Sequence, residues 1–203
     1  MPLNGILGQF RLNVAQCDNL IVAAHRVDAS GYSLFSQVER EQITVAAFLN
    51  FFKAWEAFLE ASIAQYLVGS PTISGRHPVR YAIPTDTARA SRMVVGTMRY
   101  FDYANHDNVR TFVDIFFSYG HPYEPHLTGI VSDLNDLKTM RNAAAHISAT
   151  TQKPLESLAL RLLGAPHPGI TLYSLLTFPR GGATVFSICR DKIVVVAELI
   201  ATG

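Results

Sequence analysis

Three residues in the last third of the chain have types and a spacing that could do chemistry together: Arg141, Asn142 and His146. They close a run, 133–148, in which Ile130, Leu134, Leu137, Met140 and Ala144 recur at helical spacing, so an amphipathic helix is expected there. At about 100° per residue, Asn142 and His146 stand i, i+4 on one face, while Arg141 and His146 diverge by about 140°. The Ala143-Ala144-Ala145 run between them keeps the helix slim, so that a ligand or a second backbone can approach. A guanidinium fixed on such a helix beside a titratable imidazole suits chemistry at a phosphate. The plain competitor is a pair of helix-end cations favoured by the macrodipole. Similar gaps at Arg99–His106 and Arg161–His167 run through an expected loop and a Gly164-Ala165-Pro166 helix stop, whereas Arg141–His146 is expected on uninterrupted helix.

The hexapeptide Arg141-Asn142-Ala143-Ala144-Ala145-His146 resembles the Arg-polar-x-x-x-His signature of HEPN domains, and it stands late in a helical chain as in that family. The resemblance extends over residues 37–201, with its specific part confined to the six motif residues, and is closest to stand-alone members with a long, aromatic-rich first core helix. It implies an all-α helical bundle, here with extra N- and C-terminal helices. It further implies a metal-independent ribonuclease of the toxin or antiphage-defence kind, with RNA as substrate and no cofactor. Arg141, His146 and Asn142 would be its catalytic residues, paired across a homodimer, and an antitoxin or defence protein would be its partner. One position departs from the family branch in which a tyrosine two residues after the histidine is modified: Ser148 stands there, so silencing by that route is not expected.

Chemistry gives a separate reason for pairing. Scission of RNA without a metal needs a base for the 2′-hydroxyl, an acid for the 5′-oxygen and a cation for the charge gathering on the phosphate. One chain offers a single imidazole in this motif, whereas a two-fold dimer offers two, and the products would carry 2′,3′-cyclic phosphate and 5′-hydroxyl ends. The rivals are a non-catalytic module that binds RNA, a nucleotide or a protein through the same cleft, and a purely structural bundle.

Length and composition bound these readings. The chain has 203 residues, 49% hydrophobic and 16% charged, which predicts one globular domain with a substantial core, the core at 37–201 and an accessory helix at 1–30. A formal net charge of +1 counts mildly against a non-specific nucleic-acid binder, so contact with RNA would be local. Cys17 and Cys189 lack metal-ligand spacing and are expected to be buried thiols. No signal peptide and no membrane-length apolar run is visible, so a cytoplasmic protein without membrane contact is expected.

The positioning elements follow from periodicity. Helices are expected at 4–27 and 36–68. The second carries two apolar stripes, one through Val45, Leu49, Phe52, Leu59, Ile63 and Tyr66 and another through Phe48, Phe51, Trp55 and Phe58, and so is expected to be central. Glu56 interrupts the first stripe. It either reaches solvent or a nearby donor at the stripe's edge, or it holds Arg141 in one rotamer, as acidic residues similarly placed in HEPN proteins do. Residues 69–84, with Arg76, His77 and Arg80, are expected to form a connector, either solvated or facing RNA. Further helices are expected at 85–103, 109–119, 125–147, 151–163 and 185–201, with a strand or irregular segment at 170–178 and a turn at 178–182. His121, Glu124 and His126 do not match zincin spacing, and no metal site is expected there.

Overall fold

The computed structural model describes residues 2–97, 99–146 and 148–203. Among the described residues the chain forms nine α helices, one 3-10 turn and a single two-residue-per-strand hairpin. The fold is all-α, as the sequence predicts. No helix among the described residues is long and apolar enough to cross a membrane. Two compact units are formed, one from residues 1–11, 54–134 and 192–203 and the other from 12–53 and 135–191.

Helix α1 (Leu3–Ala24) and helix α2 (Gln37–Leu67) agree with the expected helices to within a few residues. The start of α2 is set by a capping box: Ser36 Oγ accepts from the Glu39 N–H at 3.3 Å, and the Glu39 carboxylate accepts from the Ser36 N–H at 2.8 Å. In the first unit, aromatic residues gather around α2. Phe58 is 2% exposed and lies 5.4 Å from Phe10 and 5.7 Å, stacked, from Trp55. Further along, the fully buried Tyr66 donates to the Ile200 carbonyl at 2.7 Å and meets Tyr123 edge-on. Tyr123 in turn donates to Ser62 Oγ at 2.9 Å, so both buried phenols have acceptors. Burial pushes both hydroxyls well above the ordinary tyrosine range.

The connector at 69–84 is mostly exposed, as a solvated connector would be, and backbone hydrogen bonds tie it to the first unit. The Ile73 N–H bonds the Ala201 carbonyl at 2.8 Å, and residues 79–81 run antiparallel to 116–118 through Tyr81 N–H to Phe116 O and Ser118 N–H to Val79 O, each 2.9 Å. Helix α3 (Thr87–Val95) is capped by Asp86, whose carboxylate accepts from the Arg89 N–H at 2.8 Å. It is shorter than the expected 85–103 because it stops at Gly96, so Phe101 and Tyr103 lie beyond it, and Met98, also assigned to that helix, lies outside the described residues. Helix α4 (His106–Phe116) begins a turn earlier than expected because Asn105 caps it.

The 3-10 turn (Ser118–Gly120) and helix α5 (Glu124–Gly129) follow. Glu124 accepts from Arg110 Nη2 at 2.6 Å and from Thr128 at 2.8 Å, and the guanidinium holds its carboxyl below the usual carboxylate range. Gly120 sits at φ +63°, where a Cβ would lie 2.7 Å from the Glu124 Cβ. Gly120→Ala therefore combines left-handed strain with a backbone-proximal clash, and it should lower unfolding stability by about 2 kcal/mol or more. A urea midpoint within error of wild type would show that this junction relaxes freely.

In the second unit, Phe48 and Phe51 of α2 pack edge-on against Phe186, at 6.3 and 5.6 Å. His25 Nε2 lies 3.2 Å from the Tyr173 hydroxyl, and Arg190 donates to Asp18 at 2.6 Å. Cys17 and Cys189 are buried and neither forms a disulfide. Residues 170–178 form no strand. Thr171 caps helix α8 (Leu172–Leu176), and Leu172, Leu175 and Leu176 supply its buried face. The expected turn is a hairpin, β1 (Pro179–Arg180) against β2 (Ala183–Thr184), with Gly181 and Gly182 both at positive φ as a two-residue turn of this kind needs. Helix α9 (Val185–Thr202) closes the chain.

Candidate functional site

The expected motif helix at 125–147 is two helices. Helix α5 ends at Gly129, Ile130 leaves helical geometry at φ −125° and ψ 22°, and helix α6 (Val131–Ala145) then carries the motif. Ile130 fits the apolar periodicity, which is why the break was not legible from spacing. Leu134, Leu137 and Met140 are buried on α6 as expected, and Met140 fixes the azimuth of its neighbour Arg141.

Arg141 and Asn142 are brought together. Both are half-buried, and Arg141 Nη1 lies 3.4 Å from Asn142 Oδ1, a weak bond at the outer limit of useful geometry. His146 lies one residue beyond the end of α6, a correction to the expected uninterrupted helix. The i, i+4 relation still holds, because the His146 N–H donates to the Asn142 carbonyl at 3.1 Å. The imidazole is exposed and the His146 carbonyl accepts from the Thr151 hydroxyl. The expected last helical residue, Ile147, lies outside the described residues.

Helix α7 (Ala149–Leu163) starts just after the motif, two residues earlier than expected, with Ser148 as its cap. The Ser148 N–H donates to Thr151 Oγ1 at 3.2 Å, so Thr151 serves both the α7 start and the α6 end. Gln152 and Glu156 of α7 hold the chain that follows it, through the Ile170 carbonyl at 3.1 Å and the Gly169 N–H at 2.8 Å. Asp136 of α6 is paired with Arg161 of α7. The motif thus sits on the junction of two helices tied by an ion pair and a shared hydroxyl.

Lys138 lies outside the motif but on the same helix. It stands three residues before Arg141 and four before Asn142, so Lys138, Asn142 and His146 form an i, i+4, i+8 row with Arg141 to one side. Helical periodicity alone could have found it. The row can present an ammonium, an amide and an imidazole to one extended anionic ligand, with the guanidinium beside them.

Glu56 is half-buried on the part of α2 that belongs to the first unit, whereas Arg141, Asn142 and His146 belong to the second. Among the described residues, no three His, Cys, Asp or Glu side chains lie close enough to hold a metal. Glu124 of the 120–126 segment is engaged by Arg110 and Thr128, and His126 is held toward its neutral form by burial and by neighbouring His121. No family model matches the chain, and no curated protein or solved structure matches it either.

Proposed function

We propose that the end of α6 is one half of the active site of a metal-independent endoribonuclease of the HEPN type, completed by a second copy of the chain. The observation that carries this reading is the grouping at the α6 end. A half-buried guanidinium lies against Asn142, and an exposed imidazole is anchored by its backbone to that same asparagine. Arg141 would grip phosphate oxygens and meet the charge that develops there, and Asn142 would steady the guanidinium or the phosphate. His146 would move the proton. Two-fold pairing lets one His146 take the 2′-hydroxyl proton while the other protonates the departing 5′-oxygen, leaving 2′,3′-cyclic phosphate and 5′-hydroxyl ends. A toxin or antiphage-defence role, with an antitoxin or defence protein as partner, belongs to this reading.

The test is cleavage of varied RNAs by purified protein in excess EDTA, with end-group analysis of the products and sedimentation to read the oligomeric state. Cleavage leaving cyclic-phosphate ends supports the reading. Folded, dimeric protein that cuts nothing defeats it. In that event the near-neutral charge favours the second reading, a non-catalytic module that uses the same helix end to hold RNA, a nucleotide or a protein.

A further inference from the structure

A second set of chemistry-bearing side chains lies within the first unit. Residues 100–102 run over the outer face of α4 and leave a cavity of about 480 Å³ between them. This is within the usual range for small-ligand sites. Asn108, Thr111, Phe112 and Ile115 line it from α4 at i, i+3, i+4 and i+7 spacing, so one helix face supplies the whole of one wall. The interior is aromatic: Phe101 meets Phe112 edge-on at 5.7 Å, and Phe112 is 7% exposed. Tyr100, 70% exposed, stands at the rim.

The polar groups around this floor are of three kinds. Asp102 supplies a carboxylate whose Oδ1 is fixed by the Ala104 N–H at 3.2 Å, so its direction is set before any ligand arrives. Asn108 supplies an amide and Thr111 a hydroxyl, both on exposed positions of α4. An aromatic-lined cavity with mixed donors and acceptors at its edge matches a nucleobase, which offers a π face for the accessible Tyr100 and Phe101 rings and an edge for the polar groups. An organic ammonium would use the carboxylate and the rings but leave the amide and hydroxyl idle. A carboxylate only accepts, and guanine presents two adjacent donors, N1–H and the N2 amine, on one edge. Adenine places an acceptor nitrogen where the second donor should be, and its lone pair would face the carboxylate.

We propose that the groove formed by Tyr100, Phe101, Asp102 and the outer face of α4 is a guanine-binding site, with Asp102 as the residue that selects the base. It does not depend on the ribonuclease reading, because its residues and its test are separate from those of the α6 end. The base can come from a free guanine nucleotide or from single-stranded RNA.

The experiment is isothermal titration of the full chain with GMP, AMP and choline, beside the Asp102→Asn variant. Asparagine keeps an oxygen for the Ala104 N–H, so the loop should hold, and circular dichroism checks that it does. Wild type should bind GMP at least about tenfold more tightly than AMP, and Asp102→Asn should lose that preference through a drop of about tenfold or more in GMP affinity. The Asn108→Ala variant, changed on the exposed face of α4, should weaken GMP with the fold intact. A guanine-containing tetranucleotide that binds more tightly than GMP identifies RNA as the source, and equal affinity identifies the nucleotide. Equal binding of GMP and AMP, an unchanged GMP affinity in Asp102→Asn, binding of choline alone, or no binding at millimolar ligand would each overturn the proposal.

Discussion

His146→Ala is expected to lower RNA cleavage in EDTA by about 10⁴-fold while leaving RNA binding within a few-fold of wild type. In the proposed dimer one substitution removes both proton-transfer groups, and positioned acid–base catalysis contributes about 10²–10⁴. The imidazole is exposed, and the backbone of this residue is held by hydrogen bonds to Asn142 and from Thr151, so alanine should preserve the turn and the fold. Arg141→Ala should behave differently, losing about 10²–10³ in rate together with part of the phosphate grip, so that KM rises as kcat falls. Mixed dimers sharpen the test. One His146→Ala subunit with one wild-type subunit should also be crippled, since the one remaining imidazole cannot serve as base and acid at once. Full activity in the mixed dimer would sink the two-histidine mechanism, and cleavage by purified His146→Ala at the wild-type rate would sink the site.

Phe58→Ala should cost about 3–5 kcal/mol of unfolding stability, the largest effect expected of a single core truncation here. Phe58 touches both Phe10 and Trp55, and all three side chains are almost wholly buried, so the void left behind has no flexible neighbour to fill it. A loss of this size is a large share of a typical domain's margin of about 5–15 kcal/mol. Trp55 is the chain's one tryptophan, so its emission reports directly on this cluster, while circular dichroism follows the helices through a urea titration. Coincident transitions displaced to lower urea are expected. A change below about 1 kcal/mol would mean that the cluster collapses around the missing ring, contrary to close packing.

The elements most legible in the sequence are those where local and tertiary signals agree. Helix α2 is the clearest case, because Ser36 and Glu39 mark its start and its apolar residues spread over an arc too wide for a surface helix. Periodicity misleads where it outruns punctuation. The residues beyond Gly96 keep an apolar rhythm, so Phe101 looked like helix when it is the floor of a cavity. Ile130 kept the stripe of α6 going on paper while its backbone left the helix. Residues 170–178 are β-prone in composition, yet Thr171 as cap and three leucines at i, i+3, i+4 spacing decide for a helix. The contact of Arg141 with Asn142 was not legible from helical geometry, which sets neighbours about 100° apart and groups Asn142 with His146 instead. Nor was the role of Thr151, because a hydroxyl that reaches back five residues leaves no periodic trace.

The backbone at His146 is held from both directions, its N–H by the helix before it and its carbonyl by the helix after it. The freedom left to this residue is rotation about its two side-chain torsions. A ligand arriving at this helix end therefore meets a swivelling ring on a stationary mount. Engagement would take the nanosecond time of a rotamer flip rather than the microseconds to milliseconds of a closing lid, and it would cost the ordering of one side chain instead of a loop.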